Sequence, residues 1–235
     1  MMSESYSPVA EFYDLAARTQ TETARLLTET LADVDTGYGP VLDLGAGTGR
    51  AVETIAAALP DARILAVEPA TAMRAVLLSR VVSDDDLRRR VTVLADTAQN
   101  APLPDRLSAV VLLGMVGHLD RQERTALWQR LADRLPAGAP VIVEVIPLPA
   151  PASMPEMRFA RESVGEDDYE GWISGEPAGP DLMRWRTRWT VSRQQRILRT
   201  VEYVNDWYTV GVQDLIAETG WSGLALSSNV GVLRR

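Results

Sequence analysis

The sequence predicts an α/β fold built on a doubly wound, mostly parallel sheet. Three observations carry that prediction. Short apolar runs rich in β-branched residues recur along the first two thirds of the chain, longer stretches at helical spacing separate them, and the connections are long enough for right-handed crossovers. With 235 residues, 46% of them hydrophobic, the chain has length enough for one large domain carrying an appended element.

Residues 7–17 and 21–33 predict two helices, an N-terminal helical cover ahead of the first strand. The runs Val41–Leu44, Ile64–Val67, Val91–Leu94, 109–113 and 141–145 read as five parallel strands, apolar on both faces. Helices are expected over 50–59, stopped by Pro60, over 72–79, and over 121–135, stopped by Pro136 and Gly138.

After Val145 the pattern changes. PLPAPASMP, residues 147–155, reads as an extended Pro-rich connector. Beyond it EDDYEGWIS, DLMRWRTRWTVS and QRILRTVEYVNDWYTV predict three strands of an accessory antiparallel element. In the middle strand Met183, Trp185, Thr187, Trp189 and Val191 share one face and Arg184, Arg186 and Arg188 the other. A short helix, Val212–Thr219, ends at Gly220, and residues 224–233 supply one or two closing strands. The expected organisation is helical cover plus core in 1–146, connector and accessory sheet in 147–210, and the completing elements in 211–235.

A formal net charge of −8 speaks against wrapping a phosphate backbone, so small molecules are the expected partners. The absence of cysteine excludes disulfides, thiolate nucleophiles and cysteine-held metals. No stretch approaches the ~20 apolar residues of a membrane span, and the opening MMSESYSPVAEFYD has no apolar core of signal-peptide length. A soluble, cytoplasmic protein is expected, with no metal and no membrane or nucleic-acid partner.

VLDLGAGTGR, residues 41–50, sets Gly45, Gly47 and Gly49 directly after the first strand and Asp43 inside it. In an open α/β sheet the crevice beyond the strands' carboxyl ends binds ligands, and a glycine turn there lets backbone approach them; a tight turn alone is the structural alternative. A G-x-G-x-x-G fingerprint would need glycine where Arg50 stands, and this segment has no G-x-x-x-x-G-K-[ST].

The D-x-G-x-G-x-G spacing resembles motif I of the class I S-adenosylmethionine-dependent methyltransferases, of the small-molecule type found in bacterial secondary metabolism. The likeness spans roughly residues 6 to 145 and implies a seven-stranded Rossmann-like sheet. It implies that Glu68, 19 residues beyond Gly49, accepts the ribose hydroxyls, with Pro69 beside it. Asp96 would accept from the adenine amino group while Thr97 and Ala98 hold the ring edge. Asp43, Gly45, Ala46 and Gly47 would lie at the methionine tail, Tyr6 or Tyr13 would close over it, and Leu113 and Gly114 would border the cofactor. Where the family commonly has Phe-Asp opening strand four, this chain has Leu107 and Ser108.

His118, the only histidine, follows strand four with Met115. It reads either as a general base titrating near neutral pH or as a packing residue at the start of the next helix. The accessory element resembles the sheet that, in small-molecule N- and O-methyltransferases, including those acting on nucleotide-linked sugars, roofs the acceptor pocket or joins subunits. Trp172, Trp185 and Trp189, with Trp207 and Tyr208, would then face a flat acceptor or pack a core or homodimer. The arginine face would hold an anion or stay solvated. The implied reaction is in-line methyl transfer from S-adenosylmethionine to oxygen, nitrogen or carbon of a small metabolite. A fold of this kind used as a cyclase, isomerase or binding scaffold is the alternative.

Overall fold

The computed structural model describes residues 7–18, 21–148 and 150–235, so Tyr6 lies outside the described residues. A 3-10 turn, Ser7–Val9, leads into helices α1 (Ala10–Ala17) and α2 (Thr21–Leu31). The core then alternates β1 (Val41–Leu44), α3 (Arg50–Ala58), β2 (Ile64–Val67), α4 (Thr71–Ser83), α5 (Asp85–Arg90), β3 (Val91–Leu94), β4 (Ala109–Leu112), α6 (Arg121–Ala132) and β5 (Pro140–Glu144). Strands β6 (Met154–Val164), β7 (Asp167–Pro177), β8 (Leu182–Arg193) and β9 (Arg196–Tyr208) follow, and α7 (Val212–Thr219), β10 (Ser222–Ala225) and β11 (Val230–Arg234) close the chain.

The main sheet has seven strands in the order β10-β11-β5-β4-β1-β2-β3. β1 to β5 are parallel, and β11 runs antiparallel to β5. The chain builds outward from β1 through β2 to β3, then returns to lay β4 against the other side of β1. That reversal puts the topological switch point between β1 and β4, with the ligand crevice at their carboxyl ends.

Side chains alternate across the sheet. Leu42, Leu44, Val110, Leu112, Val141 and Val143 form one core with Leu127, Trp128 and Leu131 of α6 and Leu215 of α7. Val41, Val111 and Ile142 form the other with Leu27 and Leu31 of α2 and Val52 and Ile55 of α3. Asp43, two residues along from Val41, is therefore a carboxylate on the α2/α3 face, at its carboxyl end.

Two elements depart from the sequence expectation. Residues 85–90 form a separate helix, because Asp84 accepts from the amides of Asp86 and Leu87 and caps it. The accessory sheet has four strands rather than three, in the order β6-β7-β8-β9. The missed strand, β6, begins inside the expected Pro-rich connector. It is an edge strand with almost every side chain exposed and two register shifts, so pairing with β7 and not apolar alternation defines it.

The accessory sheet is held to the body by its aromatic face. Trp189 stacks on Phe12 of α1, with centroids 4.8 Å apart and planes at 8°. Met183, Trp185 and Trp207 pack with Ile146 and Leu148. Ser108 serves packing too: buried between β1 and β4, it accepts from the Gly39 amide at 3.1 Å and reaches the carbonyls of Asp35 and Gly39.

Candidate active site

The glycine turn begins where β1 ends. The amides of Gly45 and Ala46 donate to the Val67 carbonyl at 2.9 and 3.0 Å, which curls the chain over β2. Gly47 and Gly49 have φ of +56° and +90°, the left-handed region that favours glycine. A Cβ on Gly49 would also press on Leu77 Cδ1 at 2.6 Å, whereas one on Gly47 would only touch the Tyr13 ring at 3.7 Å. Gly49 is thus required by packing and backbone alike, and Gly47 by backbone beneath an open space.

At the end of β2, Glu68 accepts from the Gly47 amide on Oε2 at 2.8 Å and from the Ala70 amide on Oε1 at 2.7 Å. Burial pushes its carboxyl up, and those two amides and Arg74 oppose the shift. Asp43 is 1% exposed, and its Oδ2 has no hydrogen-bond partner. Burial, then the charge of Glu68, push it up to about 7. Tyr13, 38% exposed as a whole residue, is pushed up to about 12 by desolvation of its hydroxyl and by Glu144, Glu68, Asp14 and Asp43 in turn. These groups surround an acidic space.

That space consists of two neighbouring cavities. The larger, about 550 Å³, is walled by Tyr13, Gly45, Gly47, Glu68, Pro69, Thr97, Ala98, Gly114, Met115 and His118, with Gln99, Arg184, Tyr203, Asn205 and Asp206. The smaller, about 210 Å³, shares Tyr13 and Gly45 and adds Asp43, Ala46, Leu113 and Glu144. Together they collect every described residue that the sequence placed at the cofactor except Asp96. Asp96 is not among the lining residues; it accepts from its neighbour's amide, Thr97, at 2.8 Å.

The residues placed at the acceptor divide. Met115 and His118 reach the larger cavity. His118 ends a 3-10 turn, Val116–His118, and meets the Trp207 ring edge-on with centroids 4.5 Å apart. Burial lowers its pKa to about 4, which corrects the expectation of a group titrating near neutrality. Trp185 and Trp189 do not reach either cavity; they are 5% and 2% exposed, inside the contacts that seat the accessory sheet. Trp172 lies on the opposite face, between Arg158 and Arg188 at 5.7 and 5.5 Å.

The arginine face is largely neutralised by carboxylates. Arg184 makes a bidentate pair with Asp206 at 2.8 and 2.9 Å, Arg188 pairs with Glu156, and Arg186 with Glu202. Arg184 and Asp206 alone of these border the cavity. Sequence reasoning missed Glu144, Tyr203, Asn205 and Asp206. Glu144 had a readable signal, since it ends a buried strand as Glu68 does. Among the described residues no cluster of His, Cys, Asp and Glu suits a metal ion, and no helix is long and apolar enough to cross a membrane.

Comparison with known proteins bears on the fold. Residues 41–138 match the methyltransferase domain family. The fold is similar to that of CalS10, an amino pentose methyltransferase from Micromonospora echinaspora bound to S-adenosylmethionine: 19% identity, TM-score 0.71, covering 94% of this chain and 91% of that one. It is also similar to the sugar N-methyltransferase KedS8 from a Streptoalloteichus species, at 17% identity and TM-score 0.68 over 100% and 94% of the two chains. The CcbJ methyltransferase from Streptomyces caelestis superposes with TM-score 0.75 at 16% identity over 100% and 99%. No curated protein matches the sequence significantly.

Proposed function

We propose that this chain is a class I S-adenosylmethionine-dependent methyltransferase that transfers the methyl group to a nitrogen or oxygen of a small sugar-like acceptor. The observation that carries the reading is the set of carboxylates beside the glycine turn that touch no cation. Glu68 and Glu144 accept only from neutral donors, with Arg74 near Glu68 but bonded to its backbone carbonyl, and Asp43 Oδ2 accepts from none. Carboxylates withdrawn from water without a direct cationic partner are costly. A nucleoside carrying a cationic sulfonium and an ammonium fits that donor set.

Bound there, S-adenosylmethionine supplies an electrophilic methyl group. Glu68 keeps lone pairs beyond its two amide bonds for the ribose hydroxyls, Thr97 and Ala98 border the base, and the Tyr13 ring covers Gly47. Alignment of the acceptor is the protein's main contribution, and orientation alone can supply ~7–11 kcal/mol of barrier reduction. Burial keeps the His118 imidazole neutral at the cavity wall, where it can accept a hydrogen bond from the acceptor's N–H or O–H and orient it while the proton passes on to solvent. Asn205, Asp206 and Gln99 give the acceptor end the polar lining a sugar needs. Similarity of fold to the amino pentose and sugar N-methyltransferases supports the sugar class.

In this reading residues 147–210 act as the roof of the acceptor site, and the enzyme works in the cytoplasm. A homodimer formed through the accessory sheet belongs to the same reading. The test is incubation with methyl-labelled S-adenosylmethionine and a panel of amino- and hydroxyl-bearing nucleotide sugars, followed by mass spectrometry. Label on a sugar nitrogen or oxygen is expected. Tight S-adenosylhomocysteine binding with no transfer to the panel or to a metabolite extract would favour a role without methyl transfer.

A further inference from the structure

We infer that Glu144 binds the ammonium of the cofactor's methionine end, in the smaller cavity beside Asp43; the assignment rests on the cofactor reading above. Position is the first argument. Val41, Val111 and Ile142 point to the α2/α3 face, so two residues further along their strands Asp43, Leu113 and Glu144 share that face at its carboxyl end. All three line the smaller cavity, which joins the larger one at Tyr13 and Gly45.

Orientation is the second. Glu144 Oε1 accepts from Thr23 Oγ1 at 2.8 Å and from Asn229 Nδ2 at 3.2 Å. Those donors come from α2 and from the turn between β10 and β11, so they hold the carboxylate from two sides. Both are neutral, so they orient the charge without cancelling it. Oε2 lies toward Gly114, 3.9 Å from where a Cβ on that glycine would stand.

The third argument is Asp43, whose Oδ2 is bonded to nothing although the residue is 1% exposed and lines the same cavity. Asp43 and Glu144 thus place two carboxylates on the wall of one cavity, a lining that suits a monocation. Arg50 also lines this cavity, with Nη2 donating to the Ala17 carbonyl at 2.8 Å. The cavity therefore offers both signs of charge that an amino-acid end carries, which suits a zwitterion better than a bare cation.

Calorimetric titration of the full chain with S-adenosylhomocysteine, and with its deaminated analogue that keeps the carboxylate, isolates the contact as a coupling between residue and ligand group. The wild type is expected to prefer the amino-bearing ligand by about tenfold or more. Glu144→Gln keeps the volume and an acceptor for Thr23 and Asn229; it should cut that preference at least about fivefold and leave the deaminated ligand's affinity unchanged. A preference unchanged in the variant, or an equal loss of both ligands, overturns the assignment. If Glu144→Gln does not fold, Thr23→Val, which loosens the carboxylate, should lower the preference severalfold, and an unchanged preference overturns it. A wild type binding both ligands equally sinks the ammonium contact alone; a wild type binding neither sinks the cofactor reading itself.

Discussion

The amide of Gly47 donates to Glu68 Oε2 over 2.8 Å, tying the apex of the glycine turn to the end of β2. The other oxygen takes the Ala70 amide, so one carboxylate terminates two backbone donors while facing the larger cavity. Glu68→Ala should lower the melting temperature, because two amides lose their acceptor. It should also weaken S-adenosylmethionine binding by ~2–4 kcal/mol, given hydrogen bonds to charged acceptors worth ~1.5–3 kcal/mol each and not fully additive. Calorimetry beside thermal melting checks both; wild-type affinity in a folded variant would move the ribose elsewhere.

Trp189 is a structural anchor. Its stack on Phe12 and its edge contact with Phe159 join the accessory sheet to α1, the helix that carries Tyr13. Trp189→Ala should cost ~3–5 kcal/mol of stability, as large aromatic truncations in a core do. Urea denaturation measures it. A stable variant with only a raised acceptor KM would instead return Trp189 to the acceptor site.

Asp43 should make cofactor affinity depend on pH. Burial and the Glu68 charge hold it protonated in the free enzyme up to about 7, with Glu144 and Tyr13 facing the same space. Its raised value stabilises the free fold below the unfolded range near 3.9, and that stability is lost as pH rises through 7. A cationic ligand favours the ionised form, so affinity should climb from pH 6 to 7, by at most about tenfold per unit, and level off above. Asp43→Asn should flatten the profile. An equally steep profile in that variant would assign the dependence to another group.

For His118 the sign is opposite, since its lowered value means the neutral form persists as pH falls to about 4. Turnover should lack an imidazole inflection near 6.5, and His118→Ala, which removes the orienting hydrogen bond, should reduce kcat by up to about 10²-fold with cofactor affinity unchanged. The pH-rate profiles of both proteins decide. An inflection near 6.5 that disappears with the imidazole would show that burial does not hold it neutral.

What the sequence revealed and what it concealed follow from how local each signal is. β1, β2, β4 and β5 are largely buried on two faces, so their apolar runs stand out whatever packs on them, and Glu68 and the glycines sit at fixed offsets from those runs. β6 carries no such run, because an edge strand with exposed side chains is specified by its partner. The partner of Trp189 is 177 positions away at Phe12, so whether that tryptophan faced a ligand or a helix was not written near it. Glu144 has a local signal, a carboxylate at the end of a buried strand, but its role depends on Thr23, Asn229 and Asp43, which only the fold gathers.

A crystal structure of the chain with S-adenosylhomocysteine tests the central claim most directly. The account predicts the ribose hydroxyls on Glu68, the base against Thr97 and Ala98, and the amino group between Asp43 and Glu144, with the sulfur facing His118 and the accessory sheet. A ligand seated with its amino group toward Arg184 and Asp206, or outside the two cavities, would contradict it.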